Sequence, residues 1–236
     1  MLPDVTPALI DAASAPYRAA GRSAYFFARG KLRGDAVFLR ILELGLLGGY
    51  SHILDLGCGQ GLLAAWLFAA RDPSVTSGWP ASWPEAPHPA SIRGIEMRER
   101  SVRCAQRALG GKAGFGVGDI RTAEYGCADA VILLDVLHYL DYGAQEHVLR
   151  RVRTALSTGG VLYLRVGDAT GGIRFRISKC VDQVVLFALD RRRPRLFCRS
   201  LRDWQQVLSA SGFQSEAMEM SAGTVFANVL LSCRPA

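Results

Sequence analysis

Between Ile53 and Trp66 the chain reads ILDLGCGQGLLAAW: an apolar run broken by one acid, three glycines at alternate positions, and a second apolar run. No other stretch limits the possible folds so tightly. HILDLG is short and apolar enough for a buried strand, and LLAAWLFAA has the length and composition of a helix. A strand that turns directly into a helix brings main chain to the mouth of a sheet. Gly57, Gly59 and Gly61 carry no Cβ, so they can take positive φ and let a ligand lie against the backbone. The following helix aims its N-terminal N–H groups at the same place, which suits a carboxylate or a phosphate.

The alternation continues down the chain. IRGIE reads as strand, RERSVRCAQRAL as helix, GFGVGD and ADAVILLD as strands, GAQEHVLRRVRTALS as helix and GGVLYLRV as strand. Strands apolar on both faces and separated by helices imply a parallel sheet covered on both sides. Near the end, SLRDWQQVLSASGF reads as a helix opened by a Ser cap and closed at Gly212. The two β-like runs after it, Phe213 to Met220 and Thr224 to Cys233, are too close together to be parallel. In such a sheet a ligand sits beyond the carboxyl ends of the strands, where the strand order reverses.

The glycine spacing selects the cofactor. A dinucleotide fingerprint needs glycine at the sixth position counted from Gly57, and that position is Leu62. The form present, Asp55-x-Gly57-x-Gly59-x-Gly61, resembles motif I of the class I S-adenosylmethionine (SAM)-dependent methyltransferases. Three further stretches arrive in that family's order: GIE ending in Glu96, GDI from Gly118 to Ile120, and LLDVLHYL from Leu133 to Leu140. The resemblance spans about residues 50–236. It implies an α/β, doubly wound, mostly parallel seven-stranded sheet with an antiparallel last strand, the Rossmann-like methyltransferase fold. It also implies SAM as cofactor and S-adenosylhomocysteine (SAH) as product. Glu96 would then bond the ribose hydroxyls, and Asp119 the adenine amino group, with Ile120 packed on the ring. Met97 would pack on adenine or on the core, and Asp135 would border the methionine end. Asp55 would contact the cofactor or organise the glycine turn, and Asp119 has capping of a short following helix as its other reading. One departure is visible: Glu96 lies 35 residues past Gly61, where a short crossover puts its acid at about 20.

The extra length is Arg71 to Ser91, where five prolines and two tryptophans without periodicity predict a loop. A single domain over 1–236 is expected, with three additions: a helical lid in 1–49, this loop insertion in 71–91, and an amphipathic basic cap in 170–198. Within the first, Ala36 to Leu47 has helical spacing. Tyr25, Phe26 and Phe27 precede Arg29, which could meet the methionine carboxylate; packing of this leader on the sheet edge is the alternative. In the third, Ile173, Ile177, Cys180, Val184 and Phe187 form an apolar helical stripe beside a basic run.

Charge follows the same division. Of the net +7, residues 150–202 hold 13 basic and 3 acidic side chains, a field that favours an anionic partner. An acidic carrier protein or an anionic membrane surface engaged through 174–195 is expected, with composition alone as the other explanation, since 25 of the 28 basic residues are Arg. The N-terminal sequence lacks the basic-then-apolar signature of a secretion signal and no long apolar run is present, so a cytoplasmic protein, at most peripheral at a membrane, is expected. Six cysteines spread singly, with no CxxC and no ligand-like grouping with the four histidines, indicate neither a disulfide framework nor a metal site.

Methyl transfer is an in-line displacement that requires alignment, exclusion of water and, for a protonated O or N nucleophile, a base. His138 in DVLHYL is the candidate base, with Tyr139 second; His52, His88 and His147 read as structural or surface. A role for His138 as pocket wall is the alternative. The acceptor is expected to be a small or carrier-bound molecule, aromatic or fatty-acid-like, because the leader FARGKLRGD is similar to that of bacterial methyltransferases of aryl polyene and fatty-acid-like biosynthesis. Nucleic acid is disfavoured, since neither an Asn/Asp-Pro-Pro-Tyr motif nor a Pro-Cys nucleophile is present. RNA methylation and a non-catalytic SAM-binding scaffold stay open as alternatives.

Overall fold

The computed structural model describes residues 5–167, 195–219 and 228–236. Its seven strands form one sheet in the order β3-β2-β1-β4-β5-β7-β6, and the chain divides into two compact units, Met1–Glu124 and Tyr125–Ala236.

The first unit contributes β1 (His52–Leu56), β2 (Ser91–Glu96) and β3 (Gly114–Val117), all parallel. Its helices are α1 (Val5–Ser14), α2 (Arg22–Gly34), α3 (Ala36–Glu43), α4 (Leu62–Ala69), α5 (Pro73–Thr76) and α6 (Glu99–Leu109). A 3₁₀ segment, Ala15–Ala20, joins α1 to α2. Helix α4 is apolar on every side because it is buried on nearly every side, Phe68 excepted. Trp66 is fully buried there and donates its indole N–H to the Phe38 carbonyl at 2.7 Å, which satisfies the one polar atom of that ring.

In the second unit β4 (Ala128–Leu134) and β5 (Leu156–Gly167) are parallel, while β7 (Asn228–Pro235) runs antiparallel to both β5 and β6 (Phe213–Glu219). The reversed last strand expected from the sequence is therefore present. Helices α7 (Tyr142–Ala155) and α8 (Leu201–Ala210) complete this unit. The predicted Ser cap of α8 is a full capping box: Ser200 Oγ accepts from the Asp203 N–H at 3.1 Å, and the Asp203 carboxylate accepts from the Ser200 N–H at 3.3 Å.

Several boundaries differ from expectation. Helix α3 stops at Glu43 instead of running to Leu47, because Gly45 takes φ 60° and the N–H groups of Gly45 and Leu46 turn back to the Leu42 and Ile41 carbonyls, both at 3.0 Å; a Cβ on Gly45 would fall 2.8 Å from the Pro84 ring. The segment 71–91 is not wholly loop. Asp72 accepts from the Ser74 N–H at 2.9 Å and Pro73 occupies the first turn, so one turn of helix forms. Beyond it Trp79 and Trp83 pack edge to face, and Trp79 donates to the Pro84 carbonyl. Helix α7 ends at Ala155, and Leu156 and Ser157 join β5. Of the expected cap, residues 170–194 lie outside the described residues, as do Met220 and Thr224–Ala227 of the two final runs. The apolar stripe Ile173–Phe187 and the partner surface over 174–194 fall there too. Among the described residues no helix is long and apolar enough to cross a membrane.

Candidate active site

The glycine turn after β1 is held against β2 within the first unit. Parallel pairing sets β1 beside β2, with Asp55 opposite Gly94. The turn then folds over the end of β2, where the N–H groups of Gly57 and Cys58 donate to the Ile95 carbonyl at 2.7 and 3.2 Å. Gly57, Gly59 and Gly61 have φ of 77°, 55° and 76°, the left-handed region in which a side chain is strained. The glycines serve different ends. A Cβ on Gly61 would sit 2.8 Å from the Phe115 ring, whereas one on Gly59 would meet no atom within 4 Å. Gly61 is bare for packing; Gly59 is bare on an open side.

Glu96, at the end of β2, is buried. Its Oε2 accepts from the Gly59 N–H at 3.1 Å, and its Oε1 accepts from the Arg98 N–H at 2.9 Å and the Arg98 Nε–H at 3.1 Å. The strand-end acid and the middle of the glycine turn thus form one cradle. Organisation of the turn, weighed above for Asp55, is carried by Glu96. Asp55 is buried beneath, where burial, with the Glu96 charge adding to it, pushes its carboxyl up to about 7. Cys58 is buried against Gly94, and burial raises its thiol as well.

Asp119 lies just past β3 and accepts from the Arg121 N–H at 2.8 Å, a turn of the Asx kind and not the helix cap considered above. The same Arg121 side chain holds the Asp119 carboxyl below its usual range. Ile120 beside it is buried, while Met97 is 67% and Val117 57% exposed. Two apolar side chains so open lie at and just past the ends of neighbouring strands, where Val117 pairs with Glu96. Arg29, the candidate for the methionine carboxylate, pairs with Asp11 of α1, both side chains exposed.

The second unit carries the other candidates on the turn after β4. Asp135 has φ 58°, the one non-glycine with positive φ among the described residues. It is held there by Arg165 of β5, whose Nε–H donates to Oδ1 at 3.0 Å and whose carbonyl accepts the Asp135 N–H at 3.3 Å. Arg165 is only 3% exposed, so its charge is matched inside the fold. His138 lies in the 3₁₀ segment Leu137–Tyr139, its ring 4.1 Å from that of Tyr139 and its Nε2 shielded from solvent. Burial lowers its pKa, the Asp135 charge opposes this and the Arg165 charge adds to it. Beneath the turn, buried Gln145 donates its amide to the carbonyls of Leu137, Leu140 and Phe197 at 3.1, 3.0 and 2.8 Å. Phe197 in turn donates its N–H to the His138 carbonyl at 2.9 Å.

Residues 54–164, which hold every one of these candidates except Arg29 and Arg165, match the methyltransferase domain family. That match covers just under half of the chain. Among solved structures it is similar to NcsB1, an O-methyltransferase from neocarzinostatin biosynthesis in complex with SAM and 2-hydroxy-5-methyl naphthoic acid, with 20% identity over 91% of this chain and 57% of that one and a TM-score of 0.60. The pyocyanin biosynthetic protein PhzM gives 20% identity, 91% and 58% coverage and a TM-score of 0.63. Magnesium protoporphyrin IX methyltransferase (ChlM) from Synechocystis PCC 6803, with bound SAH, gives 19% identity, 93% and 92% coverage and a TM-score of 0.59. The chain therefore spans less than three fifths of NcsB1 and PhzM but most of ChlM. No curated protein matches it in sequence. The likeness establishes the methyltransferase fold that the four motifs implied.

Sequence reasoning missed three residues that hold these two turns. Arg165 had a visible signal, a lone cation in the apolar run VLYLRV, which implies a buried counter-charge. Gln145 and Tyr17 had none, since their partners are distant in the chain. Of the other histidines, His52 bonds Ser91, His88 meets Arg71, and His147 is exposed on α7.

Proposed function

We propose that this protein transfers a methyl group from SAM to a small-molecule acceptor, aromatic or fatty-acid-like, free or carrier-bound. The observation that carries the reading is the cradle of the first unit: Gly59, bare and open, with its N–H fixed by the Glu96 carboxylate 37 residues away. A polar backbone turn with an acid at the next strand end, an exposed Met97 and Val117 and a buried Ile120 matches what an amino-acid end, a ribose and an adenine would each require. Bound SAM supplies an electrophilic methyl carbon on a sulfonium, and the organic chemistry is the cofactor's.

The chain's own residues do the rest. The open face at Gly59 lets the nucleoside approach main chain, Glu96 holds the sugar through the lone pairs its present partners leave, and Ile120 and Met97 flank the base. Asp119 is assigned to the base edge, and Asp135, in the second unit, is the residue the family resemblance gives to the methionine end. His138, kept neutral at pH 7 by burial, is able to take the proton of a hydroxyl or amine acceptor as it is methylated, with Tyr139 beside it. The aromatic acceptor is supported by the likeness to NcsB1, whose complex includes a naphthoic acid.

Calorimetry with SAM, SAH and NAD tests the cofactor, followed by a methylation screen over phenols, carboxylic acids and carrier-bound acyl groups. Binding of SAM and SAH without NAD, and turnover of one acceptor class, is the expected outcome. Preference for NAD, or no binding of either sulfur nucleoside, overturns it.

A further inference from the structure

Tyr17 sits in the 3₁₀ segment Ala15–Ala20, yet its hydroxyl reaches the glycine turn and donates to the Gln60 carbonyl at 2.8 Å across 43 positions of sequence. The ring is fully buried. Burial, with Cys104, Cys58 and Asp55 adding to it, drives the phenol far above its ordinary range, so it stays a protonated donor at any working pH. The Gln60 side chain is held as well: the Cys104 thiol donates to its Oε1 at 3.2 Å.

Gln60 lies between Gly59 and Gly61, both at positive φ. Glycine on either side leaves that peptide with the widest choice of conformations in the turn, so its external holds decide which one persists. A phenylalanine would fill the same buried space; the hydroxyl adds a directional bond to the cofactor turn and nothing else. The segment that carries it packs on α6 and α2, and after Gly21, at φ 111°, α2 presents Phe26 and Phe27 to solvent, 59% and 48% exposed.

We infer that Tyr17 is a positioning residue for the cofactor turn, and that through its hydroxyl the N-terminal leader, residues 5–34, is thermodynamically coupled to the nucleoside bound there. The inference rests on the SAM reading of that turn. Coupling of this kind is reciprocal: the docked leader raises affinity for SAM, and SAM raises the protection of the leader.

The test is Tyr17→Phe beside the wild type, with SAM affinity by calorimetry and amide hydrogen exchange with and without saturating SAM. In the wild type SAM is expected to slow exchange in residues 15–34 as well as in the turn 57–65. In Y17F the SAM dissociation constant is expected to rise on the order of tenfold, the cost of an unsatisfied buried carbonyl. The turn is then still protected by saturating SAM, and the added protection of 15–34 is lost. A merely structural tyrosine would lower protection throughout the first unit without changing the increment SAM gives the leader. Unchanged SAM affinity in Y17F, or an undiminished increment, overturns the inference and leaves the methyltransferase reading intact. A wild type that binds SAM with no gain in the leader overturns it without recourse to the variant, should Y17F fold poorly. A wild type that binds no SAM removes the functional reading instead, and the inference with it.

Discussion

Asp55→Asn isolates the electrostatic cost built into the cofactor turn. The Asp55 carboxyl, buried beside Glu96, ionises at about 7, against 3.8 for an exposed aspartate. An acid whose folded value is raised holds its proton longer in the native state than in the unfolded chain, so native stability is greatest below pH 3.8 and declines as pH climbs toward 7. Three units at 1.36 kcal/mol each make the whole loss roughly 4 kcal/mol. The residue is almost fully buried, so solvent screening takes little from that figure. The unfolded aspartate is already largely ionised at pH 5, which leaves roughly 2–3 kcal/mol of the decline between pH 5 and 8. Asparagine preserves the shape and removes the titration. Urea unfolding of both proteins at pH 5, 6, 7 and 8 should therefore show the stability of D55N minus that of the wild type growing by roughly 2–3 kcal/mol across the range. A difference constant with pH would refute the reasoning, because Asp55 would then ionise alike in the folded and unfolded chain.

Gly59 and Gly61 should separate binding from folding. Gly59→Ala meets only the positive-φ penalty of roughly 1–2 kcal/mol and keeps the fold but loses SAM affinity, while Gly61→Ala adds a clash with Phe115 and costs roughly 2–5 kcal/mol of stability in a denaturant melt. His138→Ala should lower kcat by roughly 10²–10⁴ with SAM affinity retained, and near-normal turnover removes it as base. Ser200→Ala breaks the capping box of α8 and should cost about 1 kcal/mol, read as a shifted urea midpoint at unchanged slope.

Much of the fold is legible in the chain because hydrophobic periodicity is local. HILDL, SIRGIE and ADAVILL form strands where the apolar runs fall, and LLAAWLFA forms a helix too apolar for any place but the interior. Two boundaries differ because local signals outweigh the apolar spacing: Gly45 at φ 60° closes α3, and Asp72 with Pro73 opens a helical turn inside the proline-rich stretch. The site depends more on distant groups. Glycine spacing named the turn, but which acid holds it depended on the register of β1 against β2, and the structure gives the Gly59 N–H to Glu96.

From its sequence alone the chain determined an alternating α/β sheet, a glycine turn suited to a sulfur nucleoside rather than a dinucleotide, and the order of its four motifs, since each is written in spacings of a few residues. Tertiary structure alone decided which charges meet, placing Glu96 on Gly59, Arg165 on Asp135 and the Tyr17 hydroxyl on Gln60. The reason is that a buried polar group must find its partner wherever packing brings one, and packing here joins residues 30 to 43 positions apart.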